Sequence, residues 1–308
     1  MQLSARQRVA LFLFSVLVAV VLSSISLYAA DNSEYTIHSS VNEVRLAFAA
    51  SDRQGRVIKS LRESDVAVAD NGTIIRHFRS FRPASESPLD LVILLDASDS
   101  VAAQIPAEIA EIKSFVENSR WGERDRVSIL AFGGVRPMLL CARNCKTQIA
   151  QTRLNSLRAN GATPLYDALF EAAEILREDR DPESRPAMIL FSDGVDTISI
   201  HGIPDVTEAA QNLQSAIYSI NSRSKKAIAG RGDAILDYLA GSTGGLSFPP
   251  EQDVPEVLRM VLADLRSGYV LTYELPEQTT GQRSVRILPT SDPRLQFRSR
   301  QAYDASDR

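Results

Sequence analysis

The sequence predicts an α/β fold with a doubly wound, mostly parallel sheet, flanked by β-strands that form a small β-sandwich. Three observations predict this fold. Continuous apolar runs at 91–95 and 187–191, and the mostly apolar segment 127–132, are typical of strands that are buried on both faces. Amphipathic helical segments separate these runs, as the crossover connections of a parallel sheet require. The chain on either side of this region alternates apolar and polar residues, which is the period of a half-buried strand.

The first thirty residues, 1–30, have the pattern of an export segment. Arg6 and Arg8 precede an uncharged stretch from Val9 to Ala30, which ends in small residues. This order of charged, apolar and small residues is typical of a signal peptide. The stretch is also long enough to span a bilayer, so an uncleaved N-terminal membrane anchor stays open as the alternative. Both interpretations place the rest of the chain outside the cytoplasm, either in the periplasm or secreted.

The segments 31–87 and 268–308 are predicted to consist of β-strands and turns. Val44 and Leu46 alternate with polar or small neighbours, and Asn71-Gly72 is a strong hairpin signal. Neither segment is long enough to bury a core alone. We therefore expect the two segments to pair with each other into one β-sandwich.

The α/β domain is predicted to span residues 88–267. The polar stretch 82–88 contains two prolines and indicates a linker into this domain. Ile105 and Ile109 begin a helical pattern, with Pro106 suited to its first turn. The remaining elements are predicted as helices 165–176, 205–216, 234–239 and 254–266, and as short strands 217–220 and 246–248.

The composition excludes several classes of protein. The 308 residues are 44% hydrophobic and 23% charged, which is ordinary for a globular protein. The net charge of −4 provides no basic excess to neutralise phosphates, so we expect no nucleic-acid partner. Three histidines and two cysteines leave little material for a histidine-based or zinc centre. No nucleophile-elbow, HExxH or phosphate-loop motif is present, and we predict that the protein is not an enzyme.

Cys141 and Cys145 form a CxxxC pair. In an exported protein such a pair favours a local disulfide. No histidine lies close to the pair in sequence, which argues against zinc. Two free buried thiols remain the alternative.

Polar side chains follow two of the predicted buried strands and one loop. Asp96, Ser98 and Ser100 come directly after the first strand, Thr163 precedes a helix, and Asp193 follows the run 187–191. Ligands of open parallel sheets bind at the carboxyl ends of the strands, so we expect these residues to converge. Hydroxyls and carboxylates are hard oxygen donors, which suit Mg²⁺ or Mn²⁺ rather than Zn²⁺ or copper.

At these five residues the sequence resembles the von Willebrand factor type A (VWA) domain. The metal-ion-dependent adhesion site (MIDAS) of that family has the pattern DxSxS, then Thr, then Asp, and all five positions match in order. The resemblance covers about residues 88–267 and implies a Rossmann-like fold. It also implies that the serines and the threonine touch the metal directly and that the aspartates support them. The flanking strands are similar to those of exported VWA-related proteins of acidobacteria.

The resemblance implies an extracytoplasmic adhesion or interaction module. Its partner would be a protein whose Asp or Glu carboxylate completes the metal coordination, and a membrane would be involved only through an uncleaved N-terminal anchor. Two alternatives stay open, namely a metal-dependent hydrolase and a structural envelope protein whose metal stabilises the fold. Arg231-Gly232-Asp233 matches the integrin-binding tripeptide, but capping of a helix that begins at Ala234 is the favoured role of Asp233.

Overall fold

The computed structural model describes residues 43–145, 153–224, 228, 230–276 and 279–306. The predicted export segment, residues 1–30, lies outside these ranges. No helix within them combines the length and apolar character needed to cross a bilayer.

A six-stranded sheet forms the centre of the α/β domain, with five parallel strands and one antiparallel edge strand. Its order is β10-β9-β8-β5-β6-β7. The strands are β5 (Leu89–Asp96), β6 (Arg126–Phe132), β7 (Met138–Cys141), β8 (Arg185–Ser192), β9 (Ala216–Asn221) and β10 (Ser247–Phe248). Ile93 on β5 lies opposite Ile129 on β6 and Ile189 on β8, and all three are buried. The predicted α/β class and mostly parallel sheet are confirmed.

Helices cover both faces of this sheet. They are α1 (Ile105–Asn118), α2 (Leu165–Arg177), α3 (Ile203–Leu213), α4 (Arg231–Thr243) and α5 (Val254–Ser267). Ile93 and Leu95 pack into one hydrophobic cluster with α1 and α5. Val92 and Leu94 pack into a second cluster with α2, α3 and α4. Since successive side chains of a strand point to opposite faces, the continuous apolar run of β5 supplies both clusters.

The flanking segments form two antiparallel sheets, which agrees with the predicted flanking strands. The first has the order β13-β1-β11-β4 and the second the order β14-β12-β2-β3. The strands are β1 (Glu43–Ser51), β2 (Val66–Asp70), β3 (Thr73–Ile75), β4 (Ser80–Pro83), β11 (Tyr269–Glu274), β12 (Gln282–Pro289), β13 (Gln296–Ser299) and β14 (Ala302–Asp304). Leu46 lies opposite Leu271, and Val68 lies opposite Ile287. One hydrophobic cluster contains residues of both sheets.

Part of the predicted linker, 82–88, belongs to a strand instead. Ser80–Pro83 forms β4, with Pro83 opposite Tyr269 at the edge of the first flanking sheet. Proline lacks the N–H that a central strand needs, and an edge position tolerates it. In the described part of the chain β4 pairs with one strand, β11.

Two of the helices also have bounds that differ from the prediction. The helix predicted over 205–216 ends at Leu213, where Gln214 adopts a left-handed conformation with φ 59°. The helix expected to begin at Ala234 begins at Arg231. The helix must end there because β9 begins at Ala216, two residues after Gln214.

The antiparallel edge strand β7 was absent from the sequence prediction. It pairs with β6 and ends at Cys141, which is joined to Cys145 by a disulfide with the Cα atoms 5.7 Å apart. Asn144 forms an isolated bridge with Val127 on β6. The disulfide therefore closes the turn that follows this edge strand.

Candidate metal site

The five predicted site residues follow the carboxyl ends of two adjacent strands and precede helix α2. Asp96 is the last residue of β5, and Asp193 follows Ser192, the last residue of β8. β5 and β8 are hydrogen-bonded neighbours, with Leu95 opposite Phe191. Their two following loops therefore begin side by side at the same edge of the sheet.

Asp96 is completely buried and organises the loop that follows it. Its Oδ1 accepts the backbone N–H of Ser98 at 2.9 Å, and its Oδ2 accepts the hydroxyl of Ser192 at 2.7 Å. Burial raises the pKa of Asp96 to about 6, and the negative charge of Asp193 adds to the increase. This carboxylate is thus placed to orient neighbouring groups rather than to meet solvent.

Ser98 and Ser100 bring two hydroxyls together. Their Oγ atoms lie 3.2 Å apart, and Ser98 is 1% exposed. A one-turn 3₁₀ helix, Asp99–Val101, curls the chain so that both side chains face the same region. Adjacent ligands of an octahedral Mg²⁺ ion are separated by about 3 Å. The hydroxyl pair therefore fits two neighbouring coordination positions of such an ion.

Thr163 is buried, and the loop that carries it is bonded to both neighbouring loops. Its backbone N–H donates to Thr197 Oγ1 at 2.8 Å, and its carbonyl accepts the N–H of Thr197 at 3.0 Å. Two residues earlier, Gly161 accepts the N–H of Asp99 at 3.2 Å and donates its own N–H to Asp99 Oδ1 at 3.0 Å. These bonds join the Thr163 loop to the loops that follow β5 and β8.

Asp193 lies half-buried at the start of the loop after β8. Its Oδ1 accepts the N–H of Val195 at 3.1 Å, which forms a tight turn. Gly194 has φ +78° and packs against Gly232 on α4, where a Cβ on either glycine would collide with a backbone carbonyl oxygen. This close approach fixes the position of the Asp193 backbone.

Nearby acids have structural partners. Asp196 Oδ1 accepts the N–H of Leu165 at 2.9 Å and so caps helix α2. Asp167 Oδ1 lies 2.8 Å from the ring Nδ1 of His201. Burial favours a higher pKa for Asp167, but the hydrogen bonds from His201 and Ile200 lower it overall. Both carboxylates are therefore engaged in holding the loops in place.

The Arg231-Gly232-Asp233 tripeptide forms the first turn of α4. Asp233 Oδ2 accepts the N–H of Gly230 at 2.6 Å, and its Oδ1 accepts Asn221 Nδ2 at 2.7 Å. Asp233 therefore caps the helix, as expected. It does so as the third residue of the helix, whereas the prediction placed it just before the helix. Gly232 is buried against the loop after β8.

The chemistry of the donor set fits Mg²⁺ or Mn²⁺. Three hydroxyls and two carboxylates offer only oxygen, which these ions prefer. Among the described residues there is no cluster of three or more His, Cys, Asp or Glu side chains that could hold a metal ion in another way. Ser98, Ser100 and Thr163 would hold the ion, with Asp96 and Asp193 supporting them. The sequence analysis missed Ser192 and Gly232, although Ser192 directly precedes Asp193.

The chain is similar to known proteins over the part that carries this site. Residues 91–195 match the family model of the von Willebrand factor type A domain. An uncharacterized protein of Mycobacterium tuberculosis is 31% identical over 119 residues, covering 38% of this chain and 19% of that protein. The magnesium-chelatase 60 kDa subunit of Rhodobacter capsulatus is 25% identical over 141 residues, covering 45% of this chain and 25% of that subunit. The chain thus spans about a fifth to a quarter of these relatives.

Solved structures of low sequence identity are also similar. A von Willebrand factor type A protein from Catenulispora acidiphila is 13% identical, with a TM-score of 0.45 and coverage of 86% of this chain and 74% of that chain. The manganese-loaded TRAP protein of Plasmodium vivax is 16% identical, with a TM-score of 0.44 and coverage of 76% and 96%. The family match spans β5 through the loop after β8 and includes all five predicted site residues. Over residues 91–195 the chain therefore matches the von Willebrand factor type A domain family.

Proposed function

We propose that the protein is an extracytoplasmic protein-binding module, in which a Mg²⁺ or Mn²⁺ ion at the edge of the central sheet captures a partner carboxylate. The observation that carries this proposal is the hydroxyl pair of Ser98 and Ser100, 3.2 Å apart beside the buried Asp96. The family match supports it, because a VWA domain suggests protein interaction or adhesion that usually depends on a metal ion.

The neutral ligands explain why a carboxylate is the expected partner group. Ser98, Ser100 and Thr163 supply oxygen atoms without negative charge. Asp96 is occupied by hydrogen bonds from Ser98 and Ser192, and Asp193 by one from Val195. The positive charge of a bound ion would remain largely unbalanced by its direct ligands. A carboxylate of the partner would balance it, and binding would need no bond to be broken.

The hydrogen bonding of the nearby acids favours binding over hydrolysis. A hydrolase needs a general base within reach of a water molecule. Asp196 caps α2, Asp167 is paired with His201, and Asp96 is held by two donors. Each of these carboxylates therefore already has a structural role.

The extracytoplasmic location rests on the sequence of residues 1–30 and on the Cys141–Cys145 pair. The segment has the order of charges and apolar residues that directs export. Disulfides persist in oxidising compartments, and the two sulfur atoms are bonded to each other here.

Isothermal titration with MgCl₂ and MnCl₂ tests the metal site directly. The full chain should bind one ion, and Ser98→Ala and Asp193→Ala should each weaken the affinity at least about tenfold, which corresponds to 1.4 kcal/mol. Ser114→Ala on α1 and Asp237→Ala on α4 alter exposed residues of the same types and serve as controls. Equal affinities for site and control variants would contradict the assignment.

A pull-down from cell-envelope extract then separates binding from the other functions. Wild type should retain protein partners in the presence of Mg²⁺, lose them with EDTA, and turn over no ester, phosphate or peptide substrate. Partners that also remain bound to Ser98→Ala would contradict the proposal. Metal-dependent turnover would support a hydrolase, and an increase in melting temperature with no metal-dependent partner would support a structural role.

A further inference from the structure

A cavity of about 30 Å³ lies between the central sheet and the flanking strands. Its lining includes residues 47–49 of β1 and four charged residues, namely Arg185 of β8, Asp264 of α5, Arg298 of β13 and Arg300. Three guanidinium groups therefore share the cavity with one carboxylate. Two positive charges are left without a negative partner in the lining.

The single carboxylate is already paired. Asp264 Oδ1 accepts Arg298 Nη2 at 2.6 Å, and Asp264 Oδ2 accepts the hydroxyl of Tyr218 at 2.6 Å. The charge of Arg298 is thus balanced by a direct ion pair. Arg185 and Arg300 are the two cations that remain.

Both remaining guanidinium groups are buried and bind neutral backbone oxygens. Arg185 is 9% exposed and Arg300 is 5% exposed. Arg185 Nη1 donates to the carbonyl of Leu265, while Arg300 donates to the carbonyls of Gln211 at 2.7 Å and Arg45 at 3.0 Å. The Nε atoms of Arg185 and Arg300 are buried without a hydrogen-bond partner among the described residues.

The surroundings contain charges of both signs. The carboxylate of Asp70 acts on Arg300 but is itself paired with Arg283. Arg45 lies near Arg185, and Arg180 lies near Arg300. Burial lowers the pKa of Arg300 to about 10 and also lowers the pKa of Arg185. Arginine side chains in proteins keep their charge at neutral pH. The ring of Tyr303, centred 4.6 Å from the Arg300 guanidinium carbon, offsets part of one charge.

Burying an uncompensated charge is strongly unfavourable, and arginine cannot relieve it by losing a proton. We propose that the cavity binds a small monovalent anion of the size of chloride between Arg185 and Arg300. The volume suits one or two water-sized groups, which admits a monatomic anion and excludes larger ones. Water alone would satisfy the N–H groups but would leave both charges unbalanced. The anion would connect β8 to the C-terminal strands.

Thermal unfolding in sodium chloride and sodium gluconate, at equal ionic strength, tests the site. Gluconate is too large for the cavity and controls for screening. A ligand that binds only the folded state raises the melting temperature, so chloride should raise it by about 3 °C or more with a saturable dependence. Identical melting curves in the two salts would overturn the proposal.

Two further measurements locate the anion. Arg185→Met should abolish the difference between chloride and gluconate, whereas Arg294→Met, which changes an exposed arginine of the C-terminal segment, should retain it. Crystals of the wild type soaked in bromide should show an anomalous peak in the cavity, a result that does not depend on the folding of any variant. Ordered water without an anomalous peak would overturn the proposal.

Discussion

Gly194 and Gly232 lie so close together that neither can carry a side chain. A Cβ on Gly194 would collide with the carbonyl oxygen of Gly232, and a Cβ on Gly232 would collide with that of Asp193. Gly232→Ala should therefore destabilise the protein by about 1–3 kcal/mol, because the backbone must shift to relieve the overlap. It should also weaken Mg²⁺ binding, since Asp193 moves with the loop. Urea unfolding and titration with MgCl₂ measure the two effects.

Gly241→Ala is the matched control on the same helix. An added Cβ there meets no atom within 4 Å, and alanine is the better helix former. The control variant should be as stable as wild type or more stable by up to about 1 kcal/mol. Equal losses of stability in Gly232→Ala and Gly241→Ala would show that the close approach of Gly194 and Gly232 does not cause the loss.

Glu108 on α1 should make the stability depend on pH. Burial raises the pKa of Glu108 from 4.5 to about 7, and the negative charge of Asp96 adds to the increase. Between these two pH values the folded protein keeps a proton that the unfolded chain has lost. The free energy of unfolding should therefore decrease as the pH rises from 4.5 to 7, and this contribution should level off above pH 7.

Glu108→Gln removes this dependence. In the presence of chelator, the free energy of unfolding of the variant relative to wild type should increase by up to about 3 kcal/mol between pH 4 and pH 8. Denaturant unfolding at several pH values gives the difference, and the exposed Glu117→Gln on the same helix is the control. A difference between Glu108→Gln and wild type that stays constant with pH would refute this account.

Asp70 should be a major determinant of the stability of the flanking sheets. It is completely buried and accepts hydrogen bonds from Tyr273 Oη at 2.6 Å, Tyr303 Oη at 2.5 Å and Arg283 Nε at 2.6 Å. Removal of one partner from a buried charge pair costs about 3–5 kcal/mol. Asp70→Ala should lower the free energy of unfolding by that amount, as measured in urea.

The exposed ion pair of Glu274 with Arg79 provides the comparison. Glu274→Gln lies on β11, the same strand as Tyr273, and should cost less than about 1 kcal/mol because solvent screens the pair. Similar losses of unfolding free energy for Asp70→Ala and Glu274→Gln would mean that the burial of the Asp70 hydrogen bonds contributes little to stability.

Local periodicity was sufficient to predict the α/β class. The apolar runs 91–95 of β5 and 187–191 of β8 are continuous, and β6 is apolar from Val127 to Phe132 apart from Ser128, because both faces of a central strand are covered. Strand β7 was not predicted, and the end of β4 was assigned to the linker 82–88. Among the described residues both lie at the edge of a sheet, where pairing on one side only constrains the sequence less. For the candidate site, the spacing of Asp96, Ser98 and Ser100 on one short segment was visible directly in the sequence.

The sequence alone determined the order of elements and the chemistry available at the strand ends, since both depend on residues close together in the chain. The tertiary structure decided which distant residues meet. Ser192 binds Asp96 across 96 positions, and Arg185 and Arg300 share a cavity although they belong to different segments. Such contacts depend on how sheets and helices pack, and hydrophobic patterning specifies a buried face without specifying its partner.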